Sequence, residues 1–481
     1  ELTRQKFYGF HFNKEKAEGL LAEVKAEMAE LESEIEKDYP PTLEVDNIIQ
    51  YRTKADGTEY ATVTKAKEKY PITKVSNGNL VCYDYKPFKP GSASQRVEKL
   101  WEAGWKPFEK TKTHQQFGRV KVGDPYGKKI KSLTQEEYDE KKKHFEHYGW
   151  VVNEDNLSTL PKDAPEGARK LAKWLTLEGR RSSLVEWIGQ VKADGRIHGT
   201  TNGLGAWTGR MSHKDPNTAN IASVWPKGKP VRTAVDEVKA RYDTEMRACW
   251  DVPEGCWQVG VDADGIQLRV LADYLWRLYD KDSYAKAIME GKKEDETDIH
   301  NMNRKALGLS HITRDDSKTF IYSWALNAGI PKTASILKTT IPIASKARDR
   351  FESSIEGLKP FKKMYLPKVA KDGYFVGYDD RKVIVPNLHK TLAGILQNGE
   401  ACIMKHARIK WGVDLKGTGI RYKPLSLVHD EFNTEVSGTR EEAEYVKEVQ
   451  KESILWAGKE LGFLIPTPGT GEIGLNWSEV H

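Results

Sequence analysis

The sequence predicts an α+β fold, in which one antiparallel sheet is assembled from distant strands among mostly helical segments. Three observations lead there. The stretch VGVDADGIQLR, residues 259–269, opens as a buried-strand pattern ending on Asp262. It turns at Asp264-Gly265 and continues as a helix with Leu268, Leu271, Leu275 and Leu278 as its apolar positions. Far downstream, LSLVHDEFNTEV gives a strand over 425–428, a tight corner at His429-Asp430-Glu431 and a returning strand to Val436. Between and around these segments the apolar residues recur with helical spacing.

In chain order, residues 13–37 form an amphipathic helix, with Asn13 as N-cap and Leu20, Leu21, Val24, Met28, Leu31 and Ile35 as its stripe. Pro40-Pro41 stops it. Residues 38–90 change character, with alternating patterns such as YATVTK and NLVCYDYK, and read as a β-rich insertion. A helical piece over 94–103 ends at Gly104. Residues 106–148 form a basic segment, including Lys128, Lys129, Lys131 and Lys141 to Lys143, either a solvated loop or a track for a polyanionic backbone. Helix resumes over 164–192, with Leu171, Trp174, Leu175, Leu184, Trp187 and Ile188 as core, and a strand and turn over 195–210 lead to Arg210. Helices at 298–307, 314–329, 391–411 and 441–461 fill the remainder, and strands at 255–263 and 425–436 build the sheet.

The chain has 481 residues, which exceeds the usual single-domain length of about 100–200. Hydrophobic residues make up 38% and charged ones 30%, enough for a sizeable core. The net charge of +6 permits a polyanionic partner without requiring one. Cys82, Cys249, Cys256 and Cys402 show no CxxC spacing and read as reduced thiols. No apolar run approaches the roughly 20 residues of a membrane span, so no membrane role is expected. The first residue is Glu rather than Met, as in a fragment or processed product.

An ionised carboxylate at the end of an apolar strand is costly to bury unless it is paired or metal-bound. Either Asp262 or Asp430 alone is more often a cap or ion-pair partner. If their strands are neighbours, the two converge and can cage a pair of Mg²⁺ ions for in-line phosphoryl chemistry. The helix RDDSKTFIYSWALNAG places Arg314, Lys318, Tyr322 and Leu326 at successive i+4 positions, one stripe on one face. Arg as a planar fork and Lys as a movable point charge can grip a triphosphate, and the aromatic can stack on a sugar or base. A basic face running into an amphipathic core helix is the plainer reading of that segment alone.

Taken together, these stretches resemble motifs A, B and C of the family A, Pol I-like DNA polymerases. TGRMSHKDPNTANIAS, residues 208–223, is similar to the family's TGR…PNLQNIP segment, and GFHFNKEKAEGL and the terminal LNWSEVH resemble the enzymes of short-tailed phages, the T-seven type. The resemblance implies a right-hand polymerase fold: thumb over 1–194, palm over 195–275 and 381–481, and fingers over 276–380. It implies template-directed addition of dNTPs to a primer 3′-OH. Asp262, Asp430 and the main-chain carbonyl of Ala263 would hold two Mg²⁺, with Glu431 beside them. Arg314 and Lys318 would hold the β- and γ-phosphates, and Lys318 would protonate pyrophosphate. His300, in a DIH segment, would support the triphosphate, against the alternative of a surface histidine. Tyr322 would sit at the sugar. Arg210, Asn217, Gln397, His429 and Leu326 would contact primer and template, where minor-groove acceptors recur in every base pair. Primer–template DNA and dNTPs are the implied partners. The resemblance also implies a processivity factor at the thumb insertion, or a separate exonuclease subunit, against the insertion being a decoration. The implied location is the cytoplasm of a bacterial host, with a replicative role.

The departures from the family pattern carry expectations of their own. The Glu that usually ends motif A is Gln267, and the motif B Tyr that helps it wall off the 2′-hydroxyl is Leu326. The usual glycines after the motif B aromatics are Ser323 and Asn327, and the Asn one turn before Gln397 is Ala393. Weakened ribonucleotide exclusion and altered template-base stacking follow. No proofreading is expected from these residues, because the first helix already matches the thumb entry. Two rivals remain. A single-subunit phage-type RNA polymerase shares the Asp, Arg-Lys-Tyr and His-Asp logic, but the TGR…PN segment and the HDE form speak against it. A non-catalytic DNA-binding relic would not need paired carboxylates.

Overall fold

The structure, a computed structural model, describes residues 2–127 and 129–480. Lys128 of the basic segment lies outside the described residues, as do the side chains of Lys129 and Lys131 and the terminal Glu1 and His481. The chain forms two compact units, one of Glu1–Leu20, Ser183–Lys227 and Tyr242–His481, the other of Leu21–Ser182 and Gly228–Arg241.

The first unit is built on a four-stranded antiparallel sheet. In sheet order its strands are Arg421–Val428, Glu431–Ser437, Cys256–Ala263 and Gly469–Gly474. The central pair, Glu431–Ser437 and Cys256–Ala263, is the one carrying the acidic ends read from the sequence. Alternation explains the buried face: Val259, Val261, Phe432 and Val436 are all at most 1% exposed and pack with Trp411, Ile403, Val446 and Ile454. Two helices supply that cover, Leu388–Asp414 and Arg440–Glu460. The second of these starts with a capping box between Thr439 and Glu442. A second core gathers Leu271, Leu275, Phe320, Ile321, Trp324, Leu337, Phe351 and Phe361 from the Ile266–Tyr279, Arg314–Ala325 and following helices. An aromatic cluster of Phe10, Phe12, Trp187, Trp250 and Trp477, with ring centroids 5.1–6.3 Å apart, ties the first residues of the unit to its last.

The helix carrying Arg314 is shorter than the periodicity suggests. It runs Arg314–Ala325 rather than to 329, and Leu326 is its C-cap. Asn327 takes a left-handed φ of 59° and donates to the His389 carbonyl at 2.8 Å, which breaks the run. Pro331 then starts a separate helix, Ile330–Ile336.

In the second unit, Thr42–Gln50, Asn79–Lys86 and Ile72–Ser76 pair as an antiparallel sheet, in that order. The YATVTK stretch, read as alternating, is helical instead: Ala61–Lys69 forms a helix whose Val63 and Ala66 pack with Tyr70, Leu80 and Cys82. Val63 and Ala66 lie three apart on one helix face, and four alternating residues are too few to tell that spacing from a strand. The helix at Lys14–Asp38 begins as expected, with Asn13 accepting from the Lys16 amide at 3.0 Å. Among the described residues, no helix is long and apolar enough to cross a membrane.

Candidate active site

The register of the sheet brings the two carboxylate-bearing segments together. Asp262 lies directly opposite Glu431, and the Ala263 amide donates to the Asp430 carbonyl at 3.0 Å. Val428 pairs with Glu431, so His429 and Asp430 form a two-residue loop, with His429 at a left-handed φ of 56°. A non-glycine residue in that region is uncommon and is tolerated where its surroundings fix it. Asp430 is pushed well above the ordinary carboxylate value, first by burial, then by the charges of Glu400 and Asp262. Tyr322 reaches the same place from the helix: burial, then Asp430, then Asp262 raise its phenol. Asp262, Asp430 and Tyr322 therefore share one locality, built by the strand, the hairpin and the cationic helix.

Glu431 stands beside this pair but is held by other groups. Its Oε1 accepts from the Trp477 indole at 2.5 Å and from Asn433 at 2.8 Å, and its Oε2 accepts from Arg247 at 3.2 Å. Arg247 also stacks 4.5 Å over the Trp477 ring, and the Asp262 carboxylate lies within reach of its charge. Glu431 is 4% exposed, and these donors satisfy a charge that would otherwise be expensive to bury.

The cationic helix is fixed at its start by a capping box between Thr313 and Asp316. Arg314 is oriented by Asp298, which accepts from Nε at 2.9 Å and from Nη2 at 2.5 Å. Asp298 is itself the N-cap of Ile299–Leu307, accepting from the Asn301 amide at 3.3 Å. Both donors converge on Asp298 Oδ2, and Nη1 lies 4.0 Å from the exposed Asp315 carboxylate. Lys318, one turn on, is exposed. His300 lies between the two helices, its ring 6.4 Å from that of Tyr322. Burial, then the charges of Arg314 and Lys318, push its imidazole down to about 4, so it is neutral at physiological pH. His300 is half-buried on the Ile299–Leu307 helix, beside Tyr322.

The long helix Leu388–Asp414 organises the opposite wall. Glu400, 0% exposed, takes a bidentate grip from Arg210, with Nε on Oε1 at 2.7 Å and Nη2 on Oε2 at 2.5 Å. Gln267 donates its amide to the same Oε2 at 2.8 Å. The TGR loop is seated along the helix by further bonds: Asn398 donates to the Thr208 carbonyl at 3.0 Å, and Lys405 to the Gly209 carbonyl. A small cavity lined by Arg210, Met211, Met404, Lys405, Leu427 and His429 joins the loop to the hairpin. Gln397 is half-buried on the same helix, Leu326 is 54% exposed at its helix end, and Asn217 is exposed at the start of a short turn, Thr218–Asn220, without a capping bond.

The residues that sequence reading passed over are the anchoring partners: Glu400, Asp298, Arg247, Asn398, Lys405 and Trp477. Glu400 had a usable signal, since a carboxylate inside ILQNGEACIM demands a cation. Which cation answers it, Arg210, lies 190 residues away in sequence.

The donor set suits a hard divalent ion. Asp262, Asp430 and the Ala263 carbonyl offer only oxygen, and the negative charge gathered around Asp430 is what such an ion would relieve. Among the described residues no group of three or more His, Cys, Asp and Glu side chains could hold a metal.

The chain is 28% identical over 422 residues to the DNA-directed DNA polymerase of Enterobacteria phage T3, covering 82% of this chain and 53% of that protein. The Escherichia phage T7 DNA-directed DNA polymerase matches over the same length, at 28% identity with 82% and 53% covered. DNA polymerase I of Aquifex aeolicus is 24% identical over 298 residues, 60% of this chain and 47% of that one. The chain thus spans about half the length of the curated relatives it matches. In fold it is similar to the POL domain of Pol1 from M. smegmatis, solved with DNA primer-template and dNTP. The TM-score is 0.66 at 19% identity, over 99% of this chain and 69% of that one, and the fold is the right-hand polymerase fold. The family model for DNA polymerase family A matches residues 108–479, most of the chain, and the protein belongs to DNA polymerase family A.

Proposed function

We propose that the chain extends a primer 3′-OH with dNTPs on a DNA template, as a replicative phage enzyme acting in the cytoplasm of a bacterial host. The observation that carries this reading is the meeting of Asp262 and Asp430 beside Tyr322, on the helix that bears Arg314 and Lys318. The residues form the parts of the right hand: thumb over 1–194, palm over 195–275 and 381–481, fingers over 276–380.

In the reaction the primer 3′-oxygen attacks the α-phosphorus of the dNTP, and the bond to pyrophosphate breaks. Asp262, Asp430 and the Ala263 carbonyl would hold two Mg²⁺, and the chemistry such a pair would supply is acidification of the primer hydroxyl and neutralisation of the phosphates. Glu431 keeps the hairpin in place from the side, through Trp477, Asn433 and Arg247. Arg314 presents Nη1 to the β- and γ-phosphates while Asp298 fixes its other edge. Lys318 supplies the second positive charge and protonates the leaving pyrophosphate. His300, neutral, backs the triphosphate without adding charge of its own. Tyr322 meets the sugar, and Arg210, Gln397, His429, Asn217 and Leu326 meet primer and template. Catalysis of this kind is positioning and charge stabilisation. Gln267 in the place of a carboxylate, and an exposed Leu326 past the helix end, support weakened exclusion of ribonucleotides.

Extension of a 5′-labelled primer on a longer template, with Mg²⁺ and four dNTPs, tests the reading beside Asp430→Ala. Extension by the wild type and none by the variant is the expected result. Primer–template binding without extension by the wild type would favour the non-catalytic relic. Extension of ribonucleotides without primer would favour the RNA polymerase.

A further inference from the structure

We propose that Glu400 is a positioning and specificity-determining residue, which couples the sensing of the primer terminus to the sensing of the incoming sugar. The inference rests on the polymerase reading above. One fully buried carboxylate holds two side chains that come from separate elements: Arg210 from the TGR loop, and Gln267 from the helix following Asp262.

The geometry dictates what each side chain has left to offer. Arg210 spends Nε and Nη2 on Glu400, so the clamp holds the guanidinium plane and leaves Nη1 to meet a minor-groove acceptor. Gln267 must turn its NH₂ toward the carboxylate, because a carboxylate only accepts. Its amide oxygen is therefore the atom presented elsewhere, and an acceptor in a fixed position can hydrogen-bond or crowd a sugar hydroxyl. Neither orientation survives independently of Glu400. The clamp is also rigid at its base. Asn398 and Lys405 hold the Thr208 and Gly209 carbonyls, and the ring of Trp207 lies close against Gly394. These helix positions, 394, 398 and 405, fall on one face, so the whole loop is docked along it.

The chemistry separates this role from a merely structural one. A structural defect slows every substrate alike. Loss of the clamp instead changes ratios. The variants are Glu400→Gln, which keeps shape and removes the charge, and the exchange Gln267→Glu with Glu400→Gln, which restores a carboxylate facing an amide. Single-nucleotide insertion with Mg²⁺ gives kcat and KM for the matched dNTP, the matched rNTP and dNTP addition to a mismatched terminus, with melting curves alongside. In Glu400→Gln, discrimination against rNTP and against the mismatch both fall about ten-fold, the scale of one lost charge-assisted hydrogen bond. Matched dNTP insertion changes less, while melting falls because Arg210 loses its buried charge partner. The exchange variant recovers sugar discrimination but not mismatch discrimination, since Arg210 then faces a neutral acceptor at 400.

Unchanged ratios in Glu400→Gln, with the wild type extending primers, would overturn this inference and leave the polymerase reading intact. A parallel fall in all rates would reduce Glu400 to a structural role. If Glu400→Gln does not fold, the exchange variant decides, and failure to recover sugar discrimination overturns the proposal. A wild type that extends no primer overturns both readings.

Discussion

Replacing Asp430 by Asn should stabilise the protein in the absence of divalent metal while abolishing extension. Asp430 is half-buried and faces the negative charges of Glu400 and Asp262, which Arg210 offsets only in part. Asp430 adjoins the Glu431 that stands opposite Asp262, so like charges at this junction lie on the order of 5–7 Å apart. At an effective dielectric constant near 20 each such pair costs about 2–3 kcal/mol, before relaxation and the Arg210 offset. A net gain of about 1–3 kcal/mol on removing the charge is therefore expected, and it raises the melting temperature of a chain this long by about 1–3 °C. The sign with pH is fixed by linkage. The folded carboxyl titrates above its unfolded value, so the native state binds the extra proton and wild-type stability falls as pH rises between the two values. The Asn variant lacks that slope. The assay is a melting series from acid to mildly alkaline pH in EDTA, repeated with Mg²⁺, which should stabilise the wild type and not the variant. A variant that melts lower than the wild type in EDTA at alkaline pH would refute the argument that these carboxylates repel in the folded chain. Retained extension would refute the role of Asp430 altogether.

Other outcomes follow from the cationic cluster. Arg314→Ala removes a phosphate donor and orphans Asp298, and should raise the KM for dNTP about ten-fold or more in steady-state extension. An unchanged KM would place the triphosphate elsewhere. His300 titrates at about 4 rather than its ordinary 6.5, so the unfolded chain takes up the proton first as pH falls, and His300 contributes stability above 6.5 that is lost toward 4. Melting curves of His300→Asn should show a shallower decline across that window. Tyr322 places a phenol beside both carboxylates, and a chain-termination titration should find ready dideoxynucleotide incorporation. Strong discrimination against ddNTPs would count against Tyr322 meeting the sugar.

The strand, hairpin and helix of the candidate site were legible because each is local. Val259 to Asp262, the hairpin around Asp430 and the 314–325 helix each announce themselves within a dozen residues, through alternation, turn residues and i+4 spacing. Pairing the strands needed only the assumption that acidic strand ends converge, and the register Asp262 to Glu431 supplies it. Local rules failed where a neighbour from elsewhere decided. YATVTK became a helix because Val63 and Ala66 found Leu80 and Cys82 to cover. The Arg314 helix stopped at Ala325 because Asn327 bonds to His389, a contact no window around residue 325 contains.

The same division separates the groups expected to react from those that hold them. Arg210, Gln267 and Glu431 could be named from the resemblance to the family's motifs, yet each depends on a buried partner distant in sequence: Glu400 for the first two, and Trp477 with Arg247 for the third. A buried charge must be answered, but the answer can come from anywhere in the chain. Glu400 illustrates the consequence. Its charge replaces nothing in its own neighbourhood, and in the sequence it is an unexplained acid in an apolar helix. In the fold it faces the amide at 267, where the family pattern has a carboxylate. The carboxylate stands on the long helix and the amide on the strand-proximal one, and the hydrogen bond between them runs amide to carboxylate. A substitution at 267 that looks like a loss in isolation is therefore one half of a pair, and its effect on sugar selection has to be measured with residue 400 varied alongside it.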